Sequence, residues 1–567
     1  MSADPVTAAV IASAVRANAM EMSEALRRSS HSPIIREMLD YSCGVFTPTG
    51  ETVAQDELIP AFLGAMASTM PHVIEAAGDE LRPGDAWMTN DPYVGGTHTP
   101  DIQVFMPVLH DGKLVAWCGN IAHHNDVGGT NPGTEGYANG SIFEEGVRIP
   151  PLRFVDDGEV NHSLLRLLEN NVRDPGSLAG DLRAQLAAAK LGQRRMYELL
   201  GRYGPDVLGA AMEEVLDQSE RRIRAAIAAR PNGSTIVEGW LDDDGLGSDP
   251  VGMRAKIEIL DDAVRVDMTG SARQMRGGLN LSATAAQAAI VYAVKAMFDP
   301  EAPQNGGVVR AVESVLPKGS LVNPDFPAAV SLRHLGALRL ADTLIRGFGE
   351  MFPDLAVAGT FVGFSSLAAS CRHPRLGNVA VIQDDLGGGM GGHARGDGLD
   401  AVDVYLGNVQ ILPAEICEQQ FMVRIVATEL VPDSGGPGEF RGGLGIRRVY
   451  EFLEDADDGV YYTEQAREQF APQGIRGGLP GTSASLVIER TDGSRREITK
   501  ERLAMRAGDR LIVTTGGGGG YGDPIRRDRS AVLRDLREGK VTELVARDIY
   551  RTNLMTPTPS AVPAEAV

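Results

Sequence analysis

Cysteine is scarce: Cys43, Cys118, Cys371 and Cys417 are the four in 567 residues, widely spaced and without a CxxC pair. A disulfide framework and a zinc ribbon are excluded, and the pattern fits thiols kept reduced in a cytoplasm. Long apolar runs are missing too. No stretch approaches the roughly 18–20 uncharged residues of a membrane helix, so a membrane protein is not expected. The opening MSADPVTAAV has neither the basic flank nor the long apolar segment of an export signal. A cytoplasmic location is expected. Positive charge is in deficit, with 54 Lys and Arg against 76 Asp and Glu for a net −22. Such a surface repels phosphate backbones, which excludes nucleic acid as an expected partner. The GK[ST] of a P-loop, a helix-opening GxGxxG and the GxSxG elbow are absent as well. No nucleotide-binding or serine-hydrolase site is therefore expected in this chain.

Glycine is abundant instead, at 67 residues, gathered in runs such as Gly387-Gly-Gly-Met-Gly-Gly392 and Gly516 to Gly520. Without the remaining phosphate-binding signature these read as tight turns and close backbone packing. Residues 4–29 read as a helix, with Asp4 as cap, Pro5 in the first turn and Ile11, Val15, Met22 and Leu26 on one face. Two apolar stripes over 179–230, broken at Gly204-Pro205, predict a helical hairpin. Alternating residues flank Asp261-Asp262 as a β-hairpin, 283–298 and 336–352 read as helices, and 528–549 as a charged helix. The class is mixed α+β, glycine-rich, in several closely associated subdomains. These are an N-terminal region 1–232, a central region 233–400, a β-rich region 401–555, and a Pro- and Ala-rich disordered tail 556–567.

Three of the ten histidines crowd one segment, Asn90-Asp-Pro-Tyr-Val-Gly-Gly-Thr-His98-Thr-Pro-Asp101 and Ile121-Ala-His123-His124-Asn-Asp126. Strand-like residues 101–110 and 113–122 flank Asp111-Gly112, a hairpin signal. A plain two-residue turn would pair Pro100 with His123 and Asp101 with Ala122, with His98 and His123 on one face and His124 on the other. Asp101 needs a local bulge or twist to join them. Imidazoles and a carboxylate at one hairpin end are ligand types for Zn²⁺, Mn²⁺ or Fe²⁺. Asp40 lies near a strand start. Asp126 could orient a ligand histidine or cap the turn.

Read together, Asp40-Tyr-Ser-Cys-Gly-Val-Phe, the Asn90–Asp101 motif, His123-His-Asn-Asp-Val-Gly-Gly129, Glu145-Gly-Val-Arg-Ile-Pro-Pro151, Asp433-Ser-Gly-Gly-Pro-Gly-Glu-Phe-Arg441 and Gly516–Pro524 resemble the hydantoinase B/oxoprolinase family. The resemblance runs over nearly the whole chain. It implies the second subunit of an ATP-dependent cyclic amide hydrolase, acting on a hydantoin, 5-oxoproline or lactam. The alternative is a subunit of an acetone- or acetophenone-type ketone carboxylase, although the acetone branch tends to a longer chain. The family implies one divalent metal, Zn or Mn foremost and Fe as a further choice, held at the positions of His98, Asp101 and His123, with Asp40 as a fourth ligand. His124 and Asp126 are candidate catalytic groups, Asp126 to accept a proton from water. It further implies a hydantoinase A-type partner that binds ATP and Mg²⁺ and phosphorylates the substrate, the two subunits forming a hetero-oligomer.

Overall fold

The computed structural model describes residues 4–552 apart from 79, 248, 375 and 376; the tail 556–567 lies outside the described residues. The mixed α+β class is borne out. The described residues form four sheets of seven, four, four and five strands with helices between them. No described helix is long and apolar enough to cross a membrane, and all four cysteines are free and buried.

The Pro5–Ser29 helix begins where the sequence places it, because Asp4 Oδ1 accepts from the backbone N–H of Val6 and Thr7 at 3.1 Å each. Its buried face, Ile11, Val15, Met22 and Leu26, recurs at helical spacing. That face lies against the helix beginning at Pro175. Gly192 is a contact point: the Met22 side chain fills the space a Cβ would take, and Asn18 Nδ2 donates to the Gly192 carbonyl at 3.1 Å.

The predicted helical hairpin is corrected. Two helices run end to end over Pro175–Ala228, joined across a kink at Gly204 (φ 74, ψ 164). The first half follows the β-hairpin, with the Gln193 amide on the carbonyl of Pro107 at 2.6 Å. The second is tied to Arg310 through Asp217 at 3.1 Å and ends with Ile223 and Ile227 in the core of the second sheet. One left-handed residue redirects the chain without reversing it. The expected 528–549 helix is likewise two, Arg529–Arg537 and Glu543–Asp548, parted at Gly539 (φ 70).

The seven-stranded sheet carries the site. Its strands are β1 (Tyr41–Phe46), β2 (Thr52–Gln55), β3 (Ala86–Thr89), β4 (Asp101–His110), β5 (Lys113–His123), β6 (Leu152–Asp156) and β7 (Glu159–Val160), in the order β2-β1-β5-β4-β3-β6-β7. Asp111 (φ 49) and Gly112 (φ 74) form the tight turn of the β4–β5 hairpin. The register then slips. His110 pairs with Lys113 and Leu109 with Leu114, but Val108 pairs with Ala116. The extra residue, Val115, is a bulge, and it brings Asp101 rather than Pro100 opposite His123.

The second sheet (Gly233–Leu241, Val251–Leu260, Ala263–Asp267, Val312–Val315) includes the hairpin expected at Asp261-Asp262 and packs on the helices Ala283–Phe298 and Arg333–Met351. The third includes Ser365–Arg372 and Val379–Leu386, the fourth Ile446–Phe452 and Arg510–Thr514. One core joins Ile11 and Val45 to Leu367, Tyr450 and Val513, so segments far apart in sequence close around the first sheet.

Candidate metal centre and adjoining cavity

Three neighbouring strands end at the same level. Asp101 opens β4 opposite His123, the last residue of β5. On the other side the His123 N–H donates to the carbonyl of Asp40 at 3.0 Å, just before β1. Directly opposed residues project to one face, so Asp40, His123 and Asp101 form a row across the sheet. His98 joins from the preceding loop. Asn90 anchors that loop, its Nδ2 donating to the carbonyls of Thr99 (2.6 Å) and Val147 (2.9 Å) while its Oδ1 accepts from Ile149 N–H (2.6 Å).

One donor atom each from His98, Asp101 and His123 lies within 4.8 Å of the others, and all three residues are buried. The imidazole rings of His98 and His123 stand 5.0 Å apart. His98 Nδ1 is 2.8 Å from the carbonyl of Ser331. A carbonyl only accepts, so Nδ1 carries the proton and Nε2 presents a bare lone pair. That lone pair faces Asp101 Oδ2 at 3.3 Å. Burial pushes the His98 imidazole below its ordinary value and Arg333 reinforces this, so two acceptors confront each other. His98 Nε2, Asp101 Oδ1 and His123 Nδ1 are buried without a hydrogen-bond partner. Buried polar atoms without partners, in a group of two imidazoles and one carboxylate whose ligand atoms converge, suit a divalent transition metal.

Charge around the cluster is arranged in pairs. Burial opposes ionisation of Asp101, but His98 and Arg333 outweigh it and hold the carboxyl far below the usual range. Arg333 Nη2 donates to Asp101 Oδ2 at 2.7 Å. Burial would lower His123, yet Glu135, Asp40 and Asp101 raise it to about 9. Glu135 Oε1 lies 3.8 Å from His123 Nε2, and Glu135 Oε2 accepts from the Tyr462 hydroxyl at 2.6 Å. Burial opposes that charge also, but His123 and His334 bring Glu135 down to about 2. Asp40 stands outside the 4.8 Å group and is pushed up to about 6, chiefly by burial.

Asp40, His123, Glu135, Arg333 and His334 face a cavity of about 60 Å³, room for a few waters at roughly 10–15 Å³ each. It lies where the first sheet, the Arg333–Met351 helix and the third sheet meet. Glu135, Arg333, His334 and Tyr462 are residues that motif reading missed. The Arg333-His334 pair, carrying one of only ten histidines, was the available signal. Glu145 has a supporting part: its carboxylate accepts from the N–H groups of Val330 (2.9 Å) and Ser331 (2.8 Å) and so sets the carbonyl that orients His98.

Two expected catalytic residues lie elsewhere. His124 projects from the opposite face of the strand, its Nε2 2.9 Å from Gln185 Oε1 on the helix behind. Asp126 is taken by Arg173 Nη1 at 2.8 Å and caps its turn through the N–H of Gly128 and Arg173 at 3.0 Å each. Strand alternation removes the first from the cavity, and a local ion pair the second.

The hydantoinase B/oxoprolinase family model matches residues 4–524. The chain belongs to that family. It is 31% identical to the B component of a putative D-/L-hydantoinase from a Pseudomonas species, over 95% of this chain and 93% of that one. The crystal structure of the ATP-dependent caprolactamase from Pseudomonas jessenii is similar with a TM-score of 0.89 at 30% identity, covering 97% of this chain and 96% of that chain. Acetone carboxylase in its nucleotide-free structure shares the fold, with a TM-score of 0.86 at 20% identity over 96% of this chain and 79% of that one.

Proposed function

We propose that this member of the hydantoinase B/oxoprolinase family is the hydrolytic subunit of a cytoplasmic ATP-dependent cyclic amide hydrolase. One divalent cation, Zn²⁺ or Mn²⁺ foremost, is held by His98, Asp101 and His123, with Asp40 completing the set from the same row. A partner subunit of the hydantoinase A type binds ATP and Mg²⁺ and phosphorylates the amide, and the two form a hetero-oligomer. The observation that carries the reading is the convergence of one ligand atom each from buried His98, Asp101 and His123 within 4.8 Å, with His123 also lining a cavity. The names of the relatives, one component of a hydantoinase and an ATP-dependent caprolactamase, support both the substrate class and the need for a second subunit.

A divalent cation there would supply Lewis acidity, polarising a substrate oxygen and lowering the pKa of water. The chain's own groups do the rest. Glu135 lines the cavity with Oε2 fixed by Tyr462, so Oε1 is the oxygen placed to accept a hydrogen bond from water there and orient it. Arg333 holds Asp101 in its orientation and ionised state. The Ser331 carbonyl holds His98 in the tautomer with Nε2 free.

Elemental analysis after dialysis against Zn²⁺ or Mn²⁺ tests the site. Wild type should hold one ion per chain, His98→Ala and Asp101→Ala should lose it, and His124→Ala should keep it. Full occupancy in both of the first two would overturn the ligand assignment. In the complex with the partner subunit, the same two variants should lose ATP-dependent ring opening.

A further inference from the structure

A second cavity lies on another side of the helix that brings Arg333 to the metal centre. It measures about 220 Å³, and its lining includes Gly239, Arg339, Asp342, Arg346, Thr360 and Gln465. It shares no lining residue with the cavity described above. Arg339 and Arg346 follow Arg333 by six and thirteen residues. At 3.6 residues per turn, that places them about 120° and 140° around the helix from it.

The inward side of this cavity holds more positive charge than negative, because two guanidiniums share one carboxylate. Arg339 Nη1 donates to Asp342 Oδ2 at 3.3 Å, and Arg346 Nε stands 3.4 Å from the same oxygen. Asp342 Oδ1 accepts from the N–H of Thr360 at 3.3 Å. Glu238 also borders the cavity, but it falls on the exposed face of its strand. Its carbonyl accepts from Arg346 Nη2 at 3.0 Å. The other acids that act on Arg339 are Asp242 and Glu464, and both have nearer partners. Asp242 Oδ2 accepts from the N–H of Ala466 at 2.8 Å, and Glu464 Oε1 pairs with Lys500 Nζ at 2.5 Å.

Hydrogen-bond donors are in surplus as well. Each guanidinium carries five N–H groups. Among the described residues, Arg339 donates through Nη1 alone and Arg346 through Nη2 alone. The Nε atoms of both are buried without a hydrogen-bond partner. The Arg339 side chain is 9% exposed, so bulk water does little to compensate it. A guanidinium keeps its charge at any working pH and offers a planar fork that matches two oxygens. Buried positive charge in excess of its carboxylate is costly until an anion completes it.

We propose that this cavity is a binding site for a small oxyanion, a phosphate or a carboxylate, held between the guanidiniums of Arg339 and Arg346. Sites for drug-sized ligands occupy roughly 300–1,000 Å³, so the smaller volume here limits the ligand to a few heavy atoms. Both anions leave the reaction proposed above, phosphate from ATP and a carboxylate from the opened ring. The site itself does not depend on that reading.

Isothermal titration calorimetry of the full chain tests it, with inorganic phosphate and malonate as probes and chloride at matched ionic strength as the blank. At least one of the two should bind wild type at one site per chain, and which one binds tells phosphate from carboxylate recognition. Arg346→Gln, which removes a charge, and Arg339→Lys, which removes a fork, should each weaken that binding at least about tenfold. His98→Ala should bind as wild type does. The Arg346 side chain is 34% exposed, so Arg346→Gln decides the outcome where Arg339→Lys does not fold. No saturable binding of either anion up to about 10 mM would overturn the proposal. Unchanged affinity in Arg346→Gln would overturn it too. So would affinity lost in His98→Ala, which would place the anion at the metal centre.

Discussion

Two parts of the molecule pack equally tightly by opposite means. At the end of the β4–β5 hairpin, side chains do the work: His98, Asp101, His123, Glu135 and Arg333 meet in a buried cluster whose backbone only delivers them. In the glycine runs the backbone does the work. Gly389 N–H donates to Gly516 O at 3.0 Å, Gly443 N–H to Met390 O at 2.7 Å and Gly518 N–H to Gly443 O at 2.9 Å. A Cβ on Gly389 would stand 1.9 Å from the carbonyl oxygen of Gly443, and one on Gly518 2.1 Å from that of Met390. These runs carry many N–H groups that could cradle a phosphate, but several are taken by carbonyls of neighbouring segments and those of Gly391 and Gly517 by the hydroxyls of Thr360 and Thr482. Glycine richness here builds a layer of stacked main chain. Chemistry sits where polar side chains are left without partners.

If that contrast is right, the two regions should fail differently. The largest effect is expected in the glycine layer. Gly518→Ala places a methyl into rigid main chain and should cost well over about 4 kcal/mol, leaving little soluble protein. A soluble variant with wild-type Tm would break the contrast. At the cluster, His98→Ala should lower ring opening by about a thousandfold or more, equivalent to about 4 kcal/mol. Its Tm without added metal should stay near that of metal-free wild type; a collapse in stability there would mean that the cluster is a packing device.

A smaller effect belongs to Glu145, which ties the Ser331 segment to the site. Burial raises its carboxyl to about 8, against an ordinary value near 4.5. The folded state keeps the proton longer than the unfolded chain, so stability is fully present below about pH 4.5 and is lost as pH rises to about 8. The loss amounts to about 5 kcal/mol. Glu145→Gln keeps an Oε1 for the two N–H donors, so urea denaturation at pH 5 and pH 8 should show the difference between variant and wild type growing in the variant's favour with pH. A constant difference would show that Glu145 is ionised. The smallest effect is expected for Asp126→Asn, which weakens a turn cap and an ion pair of a partly exposed Arg173 and should cost about 1–2 kcal/mol with metal content unchanged. Lost metal in that variant would return Asp126 to the site.

Local elements were legible because local rules decide them. Asp4-Pro5 with a helical apolar stripe, and Asp-Gly between two alternating runs, act within a few residues. The same reading failed at 179–230 for a physical reason: Gly204-Pro205 shows that the helix is interrupted, but not how far the chain turns. His98, Asp101 and His123 were legible from residue type and hairpin arithmetic, and their clustering is now seen. His124 and Asp126 lie away from the cavity where they were expected, because adjacency in sequence does not disclose the face of a strand or a distant ion-pair partner such as Arg173.

What the sequence determined by itself is thus the family, the helix caps, the hairpin turn and the histidine–aspartate motif, all encoded within short spans. The bulge at Val115 was decided in three dimensions, since alternating residues alone cannot choose between registers that differ by one, and packing against neighbouring strands and helices does. The arrival of Arg333 and His334 from a helix more than 200 residues away was decided there as well. So was the pairing of Glu135 with Tyr462, and with these contacts the charge states of the cavity. Those states depend on burial and on groups brought together only when the sheets and the helix close on one another.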